Sequence, residues 1–514
     1  MAAWIRCVVV AVGLALATGC FASSAAAAAS CSTAPSGGGD WPAYGHDAAN
    51  TRAQPEETGL GPSTVAGLTP KWVFSTSSTG DETGFNSTPV VYNGCVFVGS
   101  FGGVAYALDA HTGHVAWQRK LEAPNPGSGG AIVGAPAVDG SSVVFLVDEF
   151  AAPYAIALKR STGAVMWKSA PFAPPLTSSA AQAGSYSNSS TVLANGFIAA
   201  GYSPPEGDPT ATGGFSLINA KTGEVVRTTP TIPPSAQADG YTGGGLWSTP
   251  AYDPSTKYLY WGSGNPNSKT EQYPTTDAIL KIDVNPARPT FGQIVASYQG
   301  NVDQYTTTLQ ELSHSPACEA SADPEVPYPL DDPLCGQLDL DFGAAANLFT
   351  TSAGTKVVGD LQKSGVYHVA NAASMAPVWT ALVGASCAAC NAASTAFDGS
   401  AVDGVATPAA NVFSLDRSTG TTRWLTPVGD GPHYQSVSTA DGVVWTVDTG
   451  GDLDGFDATS GQPLVHRPLS LDAGAPVAND TSTGIAIAEH QLFVAAGGLS
   501  YVTAPGDVIA YGAG

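Results

Sequence analysis

Charged residues are scarce in this sequence, and basic residues are the scarcest. Asp, Glu, Lys and Arg make up 12% of the 514 residues, and 19 basic residues stand against 42 acidic ones, for a formal net charge of -23. So few Lys and Arg cannot form the basic surface that nucleic acid or an anionic membrane requires. We therefore expect no nucleic-acid partner, whereas a basic partner would be attracted.

Long apolar runs are missing beyond the first residues of the chain. Met1–Ala29 has Arg6 near its start, an apolar run (Val8–Ala17) too short for a membrane span, and a small-residue stretch (Ala25–Ala29) suited to cleavage. We interpret residues 1–29 as a signal peptide, or alternatively as a lipoprotein signal ending at Cys20. Either interpretation predicts a secreted, periplasmic or cell-surface protein without a transmembrane span in the mature chain.

Cysteine is sparse but consistent with an oxidising compartment. Six of the eight cysteines remain after the predicted leader is removed. We expect Cys318 and Cys335, which bracket a loop rich in Pro and Asp, to form a disulfide. The sequence alone does not pair Cys31 or Cys95.

The chain lacks the cysteine motifs of built-in redox groups. Cys387 and Cys390 form a CxxC pair, but Asn391 follows where a c-type haem attachment site has His. A second CxxC and an HxxxH are also absent, which argues against a zinc site. The CxxC pair is open to two interpretations, a tight local disulfide or a redox pair.

What the sequence has instead is turn residues and a repeat. With 60 glycines and 38 prolines, it is typical of an all-β protein with many short strands. One unit reads as four strands separated by Gly-containing turns, with Ala-Leu-Asp109 before a Thr-Gly113 turn and Trp117 in the last strand. Similar or divergent copies cover Thr88–Trp117, Ala135–Trp167, Ser190–Arg227, Trp247–Tyr298, Leu361–Trp379, Asn411–Trp424, Val443–Val465 and Ile485–Tyr511.

The repeat predicts an eight-bladed β-propeller of four-stranded antiparallel blades. One such unit cannot bury both faces alone, and radial stacking of copies closes the core. We expect the repeat Asp to cap its turn and the Trp to pack between neighbouring blades. The strand Asp507–Tyr511 would pair with Lys71–Phe74 and close the ring, so residues 30–69 form a lead-in and residues 70–514 the propeller.

Gly243–Ser268 is a candidate site because it combines an aromatic face with a polar strand exit. Three glycines precede Trp247, and the turn Gly262–Pro266 places the Asn265 amide at the end of a strand. This combination suits a flat ligand with a metal beside it. Alternatively, Trp247 is a core residue and the turn is an ordinary loop.

The repeat and four further motifs resemble the pyrroloquinoline-quinone (PQQ) dehydrogenases, and in particular their polyvinyl-alcohol-dehydrogenase-like branch. The opening segment Trp41–Arg52 is also similar, and the resemblance covers essentially all of the mature chain. The repeat alone is less specific, since non-catalytic assembly lipoproteins of the outer membrane also contain it. The four motifs are Gly245–Pro250, Gly262–Pro266, Cys335–Gly343 and Gln362–Gly365.

The resemblance implies a PQQ site and a Ca²⁺ site. Trp247 would form the aromatic floor on which the quinone stacks, unless it is an inter-blade tryptophan. Lys363 would contact the quinone oxygens, unless it is a solvated turn lysine.

The implied metal ligands are Glu206, Asn265 and Asp341, and Asp341 would also be the catalytic base. The alternatives are a solvated loop acid at Glu206, an ordinary strand-end acid at Asp341, and Asp339 as a competing base. The resemblance further implies calcium and not a lanthanide, because Gly343 stands where lanthanide-dependent members have an added acid.

Two functional hypotheses follow. The first is a secreted quinoprotein dehydrogenase that oxidises small or polymeric alcohols with PQQ and Ca²⁺ and passes electrons to an external acceptor such as a cytochrome c. The second is a non-catalytic propeller that serves as a binding or assembly scaffold at the cell surface. The absence of a vicinal Cys-Cys pair and of CxxCH departs from many family members and keeps the second hypothesis open.

Overall fold

We describe the fold from a computed structural model of the chain. It describes residues 31, 37–121, 131–148, 152–174, 189–204, 210–267, 272–301, 340–385, 391–407, 411–428, 433–473, 484–497 and 504–514. Several sequence predictions lie outside these residues: the leader with Cys20, the pairs Cys318/Cys335 and Cys387/Cys390, Glu206, and Asp339.

The described strands form eight sheets. The chain starts with the short β1 (Ala53–Gln54) and with β2 (Leu68–Ser75). Blade one contains β3–β6 (Val90–Tyr92, Cys95–Gly99, Val104–Asp109, Val115–Lys120) and blade two β7–β10 (Ala137–Asp139, Ser142–Val147, Tyr154–Lys159, Val165–Lys168). Blade three contains β11–β14 (Val192–Ala194, Phe197–Tyr202, Gly214–Asn219, Val225–Pro230) and blade four β15–β18 (Ala251–Asp253, Tyr258–Gly262, Ala278–Asp283, Ile294–Gln299).

The second half of the chain repeats this arrangement. Blade five contains β19–β22 (Asn347–Thr350, Lys356–Leu361, Val366–Asn371, Pro377–Leu382) and blade six β23–β26 (Ala396–Phe397, Ala401–Ala406, Asn411–Asp416, Thr422–Pro427). Blade seven contains β27–β30 (Ser438–Ala440, Val443–Val447, Asp452–Asp457, Pro463–Pro468), and blade eight includes β31–β33 (Ile485–Ala488, Gln491–Ala496, Asp507–Ala513). Blades five and six begin well before the repeat motifs in Leu361–Trp379 and Asn411–Trp424, because the motif residues lie in the last two strands of each blade and the turn between them.

Blade eight is shared between the two ends of the chain. β2 pairs antiparallel with β33, in the strand order β2-β33-β32-β31. The first strand of this blade, β31, contacts β3 of blade one. The predicted all-β, eight-bladed propeller closed by N- and C-terminal strands is therefore confirmed.

Helical structure is minor in the part of the chain that the structure describes. The α-helix α1 (Pro234–Ala238) is five residues long. No helix among the described residues has the length and apolar character needed to cross a membrane.

The repeat aspartate caps its turn, as predicted. Asp109 Oδ1 accepts hydrogen bonds from the backbone amides two and three residues later, at 3.0 and 2.9 Å, and from the Thr112 hydroxyl at 2.8 Å. Asp416 and Asp457 repeat this pattern. The carboxylate therefore satisfies amides that the tight turn leaves unpaired.

The repeat tryptophan packs against the next blade, again as predicted. In five repeat turns the glycine after Thr or Ser has a positive φ, and a Cβ built on it would overlap the tryptophan ring of the preceding blade. The indole N–H adds a hydrogen bond, as from Trp117 to the Arg160 carbonyl at 2.7 Å. The packed pairs are Trp72/Gly113, Trp117/Gly163, Trp167/Gly223, Trp379/Gly420 and Trp424/Gly461.

The segment Gly39–Gln54 runs along the innermost strands. Its backbone exchanges hydrogen bonds with seven of the eight blades, through Gly39–Glu489, Trp41–Val91, Pro42–Val138, Ala48–Tyr252, Ala49–Leu348, Thr51–Phe397 and Arg52–Thr439. Arg52 is fully buried, donates to the carbonyls of Val437 and Tyr44, and lies over the Tyr44 ring at 4.7 Å. This segment therefore satisfies the free edges of strands that would otherwise lack partners at the centre of the ring.

A disulfide joins the two cysteines that the sequence left unpaired. Cys31 and Cys95 are bonded, with 64 residues of separation, so the start of the described chain is tied to β4. The bond is typical of an oxidising compartment.

The tryptophan contact generates a test with a matched control. Gly163 and Gly140 lie in the same blade and both have a positive φ, at +65° and +57°, but only Gly163 faces a tryptophan, at 2.6 Å from its Cβ position to Trp117 Cε3. We expect Gly140→Ala to lower the free energy of unfolding by about 1 kcal/mol through backbone strain. Gly163→Ala should lose roughly 1–3 kcal/mol more because the ring must move. Denaturant unfolding measures both variants, and equal losses would contradict the packing role.

Candidate functional site

Four of the predicted site residues meet in one cavity where blades four and five face each other. Trp247 and Asp341 lie in the segments that enter β15 and β19, whereas Asn265 and Lys363 lie in the turns that leave β16 and β20. The cavity has a volume of ≈ 160 Å³. Its lining residues are Ser203, Pro204, Gly243, Gly245, Trp247, Gly264, Asn265, Asn267, Asp341 and Lys363.

The carboxylate of Asp341 is at the centre of the polar contacts. Its Oδ1 accepts a hydrogen bond from the backbone N–H of Asn265 at 2.6 Å. Its Oδ2 accepts from Trp247 Nε1 and from Lys363 Nζ, both at 3.1 Å. One carboxylate thus joins three residues from three different segments, and this donor set suits the ionised form.

The Lys363 ammonium is held between the carboxylate and the indole. Nζ lies 5.3 Å from the centre of the Trp247 ring, in cation–π range. The side chains of Lys363 and Asp341 are only 9% and 6% exposed, so their attraction is weakly screened. The alternative of a solvated turn lysine is therefore wrong.

Backbone contacts fix the turn that carries Lys363. Its amide donates to the Asp341 carbonyl at 3.0 Å, and its carbonyl accepts from Asn391 Nδ2 at 3.1 Å. Asn391 is fully buried in the segment before β23. In the sequence Asn391 is notable only as the residue after a CxxC pair. Its contact with Lys363 could not be predicted, because the two residues are far apart in the chain.

Glycine at two positions lets the segments approach the indole. A Cβ at Gly343 would lie 2.2 Å from Trp247 Cη2, and one at Gly264 would lie 3.1 Å from Asp341 Oδ1. Trp247 is only partly buried and packs on Gly343, away from the repeat's Trp–Gly pairs. Trp247 is therefore not one of the repeat tryptophans that pack between blades.

The cavity wall includes polar residues that the sequence did not single out. Ser203 is 3% exposed, and its hydroxyl has no hydrogen-bond partner among the described residues. Asn267 lines the same wall. Ser203 comes three residues before the predicted ligand Glu206, and Asn267 directly follows the Gly262–Pro266 motif, so proximity to those motifs was the available signal.

The described residues provide only part of a metal shell. Asp341 and Asn265 line one cavity and carry carboxylate and amide oxygens, the donor types that Ca²⁺ prefers. Within the described ranges, no three His, Cys, Asp or Glu side chains gather into a metal-binding group. The third predicted ligand, Glu206, lies outside them.

Two buried titratable groups lie behind the site in blade five. Burial lowers the pKa of His368 to about 4, and burial raises the pKa of Asp360 well above its ordinary value. Near pH 7 the imidazole of His368 is therefore neutral.

Comparisons with known proteins bear on the repeat and on the fold. Residues 69–238 match the PQQ_2 family model, which is described as outer membrane protein assembly factor BamB. The resemblance to PQQ-repeat propellers is confirmed. A 235-residue stretch is 29% identical to methanol dehydrogenase [cytochrome c] subunit 1 of Methylobacterium organophilum, covering 40% of this chain. It spans about a third (36%) of that relative's length.

Solved structures share the fold across nearly the whole chain. Quinohemoprotein alcohol dehydrogenase from Comamonas testosteroni superposes with a TM-score of 0.65 at 16% identity, covering 94% of this chain and 81% of that one. BamB from Moraxella catarrhalis superposes with a TM-score of 0.55 at 14% identity, covering 86% and 99%. The fold is thus common to an enzyme and to an assembly factor. The two functions can be distinguished only by the residues of the site.

The Asp341–Lys363 pair generates a second test. Removing one partner leaves the other charge buried, so Asp341→Asn or Lys363→Met should each lower the free energy of unfolding by about 3 kcal/mol. The double variant should lose less than the sum of the two single losses. Denaturant unfolding of the four proteins gives the coupling. Additive losses would show that the two side chains do not interact.

Proposed function

We propose that this protein is a quinoprotein alcohol dehydrogenase that uses PQQ with Ca²⁺. The observation that carries the proposal is the convergence of Trp247, Asn265, Asp341 and Lys363 on one cavity. A propeller that acts only as a scaffold has no need of a buried Asp–Lys pair over an indole. The similarity to methanol dehydrogenase and to quinohemoprotein alcohol dehydrogenase supports the same assignment.

The residues present fit a planar group rich in oxygen. Glycines at 243, 245 and 264 leave the walls without side chains, and the Ser203 hydroxyl has no protein partner to satisfy it among the described residues. Lys363 would donate to oxygens of the quinone, and Trp247 would present its ring face. Asp341 and Asn265, completed by Glu206, would hold the calcium ion.

The bound groups supply chemistry that the side chains lack: the quinone is the hydride acceptor and calcium the Lewis acid. The protein's own task is to orient the alcohol and to take its proton. Asp341 would be the base of this site because its carboxylate lines the cavity, where three donors hold it in place. Lys363 would stabilise the negative charge that develops as the quinone is reduced.

We further propose small-molecule or polymeric alcohols as substrates and an external electron acceptor such as a cytochrome c. The sequence contains no CxxCH, so an electron carrier outside this chain is required. The excess of acidic residues favours a basic carrier. The leader-like residues 1–29 and the Cys31–Cys95 disulfide support a secreted, periplasmic or cell-surface location.

A second candidate function is a scaffold for binding or assembly. The family model with the BamB description and the BamB structure both favour it, and the shared fold alone does not separate the two. The two candidates differ in whether the cavity binds PQQ.

Reconstitution tests the proposal. The purified protein should bind PQQ in the presence of calcium and then reduce a dye when an alcohol is added. Chelation of calcium should abolish turnover, and Asp341→Asn should lower kcat by roughly 100-fold or more through loss of the base. A folded wild-type protein that binds no PQQ in a fluorescence titration would contradict the dehydrogenase proposal and favour the scaffold function.

Gly343 offers a test of the indole face. Gly343→Ala pushes a methyl group into Trp247, and a displacement of about 1 Å at this ring should cost roughly 100-fold in turnover. The control is Gly67→Ala, whose Cβ has its nearest neighbour at 3.9 Å and whose φ is not positive. Dye-linked assays and PQQ titration compare the two variants. Unchanged PQQ binding in Gly343→Ala would show that Trp247 is not part of the cofactor site.

A further inference from the structure

A buried histidine lies behind the Asp341–Lys363 pair, between blades four and five. His368 belongs to β21 and is 2% exposed. Its Nε2 lies 3.0 Å from Gln362 Oε1, and its Nδ1 lies 3.0 Å from the Tyr298 hydroxyl. Both ring nitrogens are therefore engaged with named partners.

His368 reaches both members of the pair through their chain neighbours. Gln362 directly precedes Lys363 in the turn after β20. The imidazole also meets the Phe342 ring edge-on, with centroids 5.3 Å apart and an interplanar angle of 69°. Phe342 directly follows Asp341, so one side chain contacts the segments that carry both site charges.

Gln362 connects the imidazole to the rest of the turn. Its Oε1 accepts from the Ser364 hydroxyl at 2.8 Å and from the Asn301 amide at 3.0 Å, and its Nε2 donates to the Asn301 carbonyl at 2.8 Å. The contacts to Asn301 fix which end of the amide is oxygen. Since that oxygen can only accept, His368 Nε2 carries the proton and Nδ1 accepts from Tyr298.

The titratable groups that face His368 are Asp360 and Tyr298. Asp360 lies directly opposite on β20, fully buried, with no hydrogen bond from either side-chain oxygen among the described residues. Burial raises the pKa of Asp360 and of Tyr298. Burial therefore disfavours the charged form of both side chains that face the imidazole.

We propose that His368 is a positioning residue that sets Lys363 relative to Asp341, through Gln362 on one side and Phe342 on the other. Its role in quinone binding rests on the proposed function. Its role in the Asp341–Lys363 pair does not, because that pair is present without a cofactor.

The first experiment measures PQQ affinity in the calcium-loaded protein by fluorescence titration. His368→Phe keeps the aromatic contacts and removes both hydrogen bonds, and we expect the dissociation constant to rise about 10-fold. In a Lys363→Met background the same change should have no further effect, because the residue through which it acts is gone. Equal losses in both backgrounds would overturn the proposal. His368→Gln, whose amide N–H can reach Gln362 Oε1, should recover part of the affinity.

The second experiment needs no cofactor. Denaturant unfolding of the apo protein compares His368→Phe, Lys363→Met and the double variant. We expect the double variant to lose less stability than the sum of the single losses, whereas additive losses would contradict the positioning role. A wild-type protein that binds no PQQ would overturn the proposed function, and this second experiment would still decide the role of His368.

The matched control is Asp360→Asn, the residue opposite His368 on the same blade. It removes no hydrogen bond of the Gln362 network and keeps the size and shape of the side chain. We expect unchanged PQQ affinity and no coupling to Lys363→Met. Coupling as large as that of His368→Phe would show that any change at this interface disturbs the site, and the specific role of His368 would be rejected.

Discussion

Each blade of this protein can bury its faces only against its neighbours, and the contact that makes this possible is a tryptophan ring over a glycine. The glycine supplies the left-handed turn and the empty space, and the tryptophan supplies the apolar area and an N–H for a carbonyl of the next blade. Because the contact links consecutive blades, it fixes the relative angle of five neighbouring pairs of blades. Blades four and five, from which Trp247 and Asp341 enter the site, have no such pair among the described residues, and their interface includes instead the contact between Tyr298 and His368.

The site uses glycine for a different purpose. At Gly343 and Gly264 the backbone comes close to the indole and to the carboxylate, which keeps Trp247, Asp341 and Lys363 in contact without intervening side chains. The Asp341–Lys363 pair is weakly screened because both side chains are largely buried. Buried surroundings behind the pair, including the neutral imidazole of His368, allow the cavity to hold its charges in place before any ligand enters.

Much of the fold could be predicted because its determinants are local and repeated. The Asp109 cap, the Trp117 contact and the shared last blade all follow from short motifs, and Asp341 and Lys363 could be placed through motifs of a known type. Ser203, Asn391 and His368 could not, because their importance comes from contacts between distant segments. The disulfide between Cys31 and Cys95 could also not be predicted from the sequence, since the pairing of cysteines depends on which strands the ring brings together. Glu206 stays a prediction because it lies outside the described residues.

The segment Gly39–Gln54 has a consequence for how the chain folds. It hydrogen-bonds to seven blades, whose strands extend from Val91 to Glu489, and β2 pairs with β33 at the far end of the chain. Contacts so distant in sequence form slowly, because a large loop must close before any of them can stabilise the product. We therefore expect the residues near the start of the chain to reach their native positions late in folding. Until they do, the inner edges of the blades lack their partners, and unpaired strand edges favour aggregation.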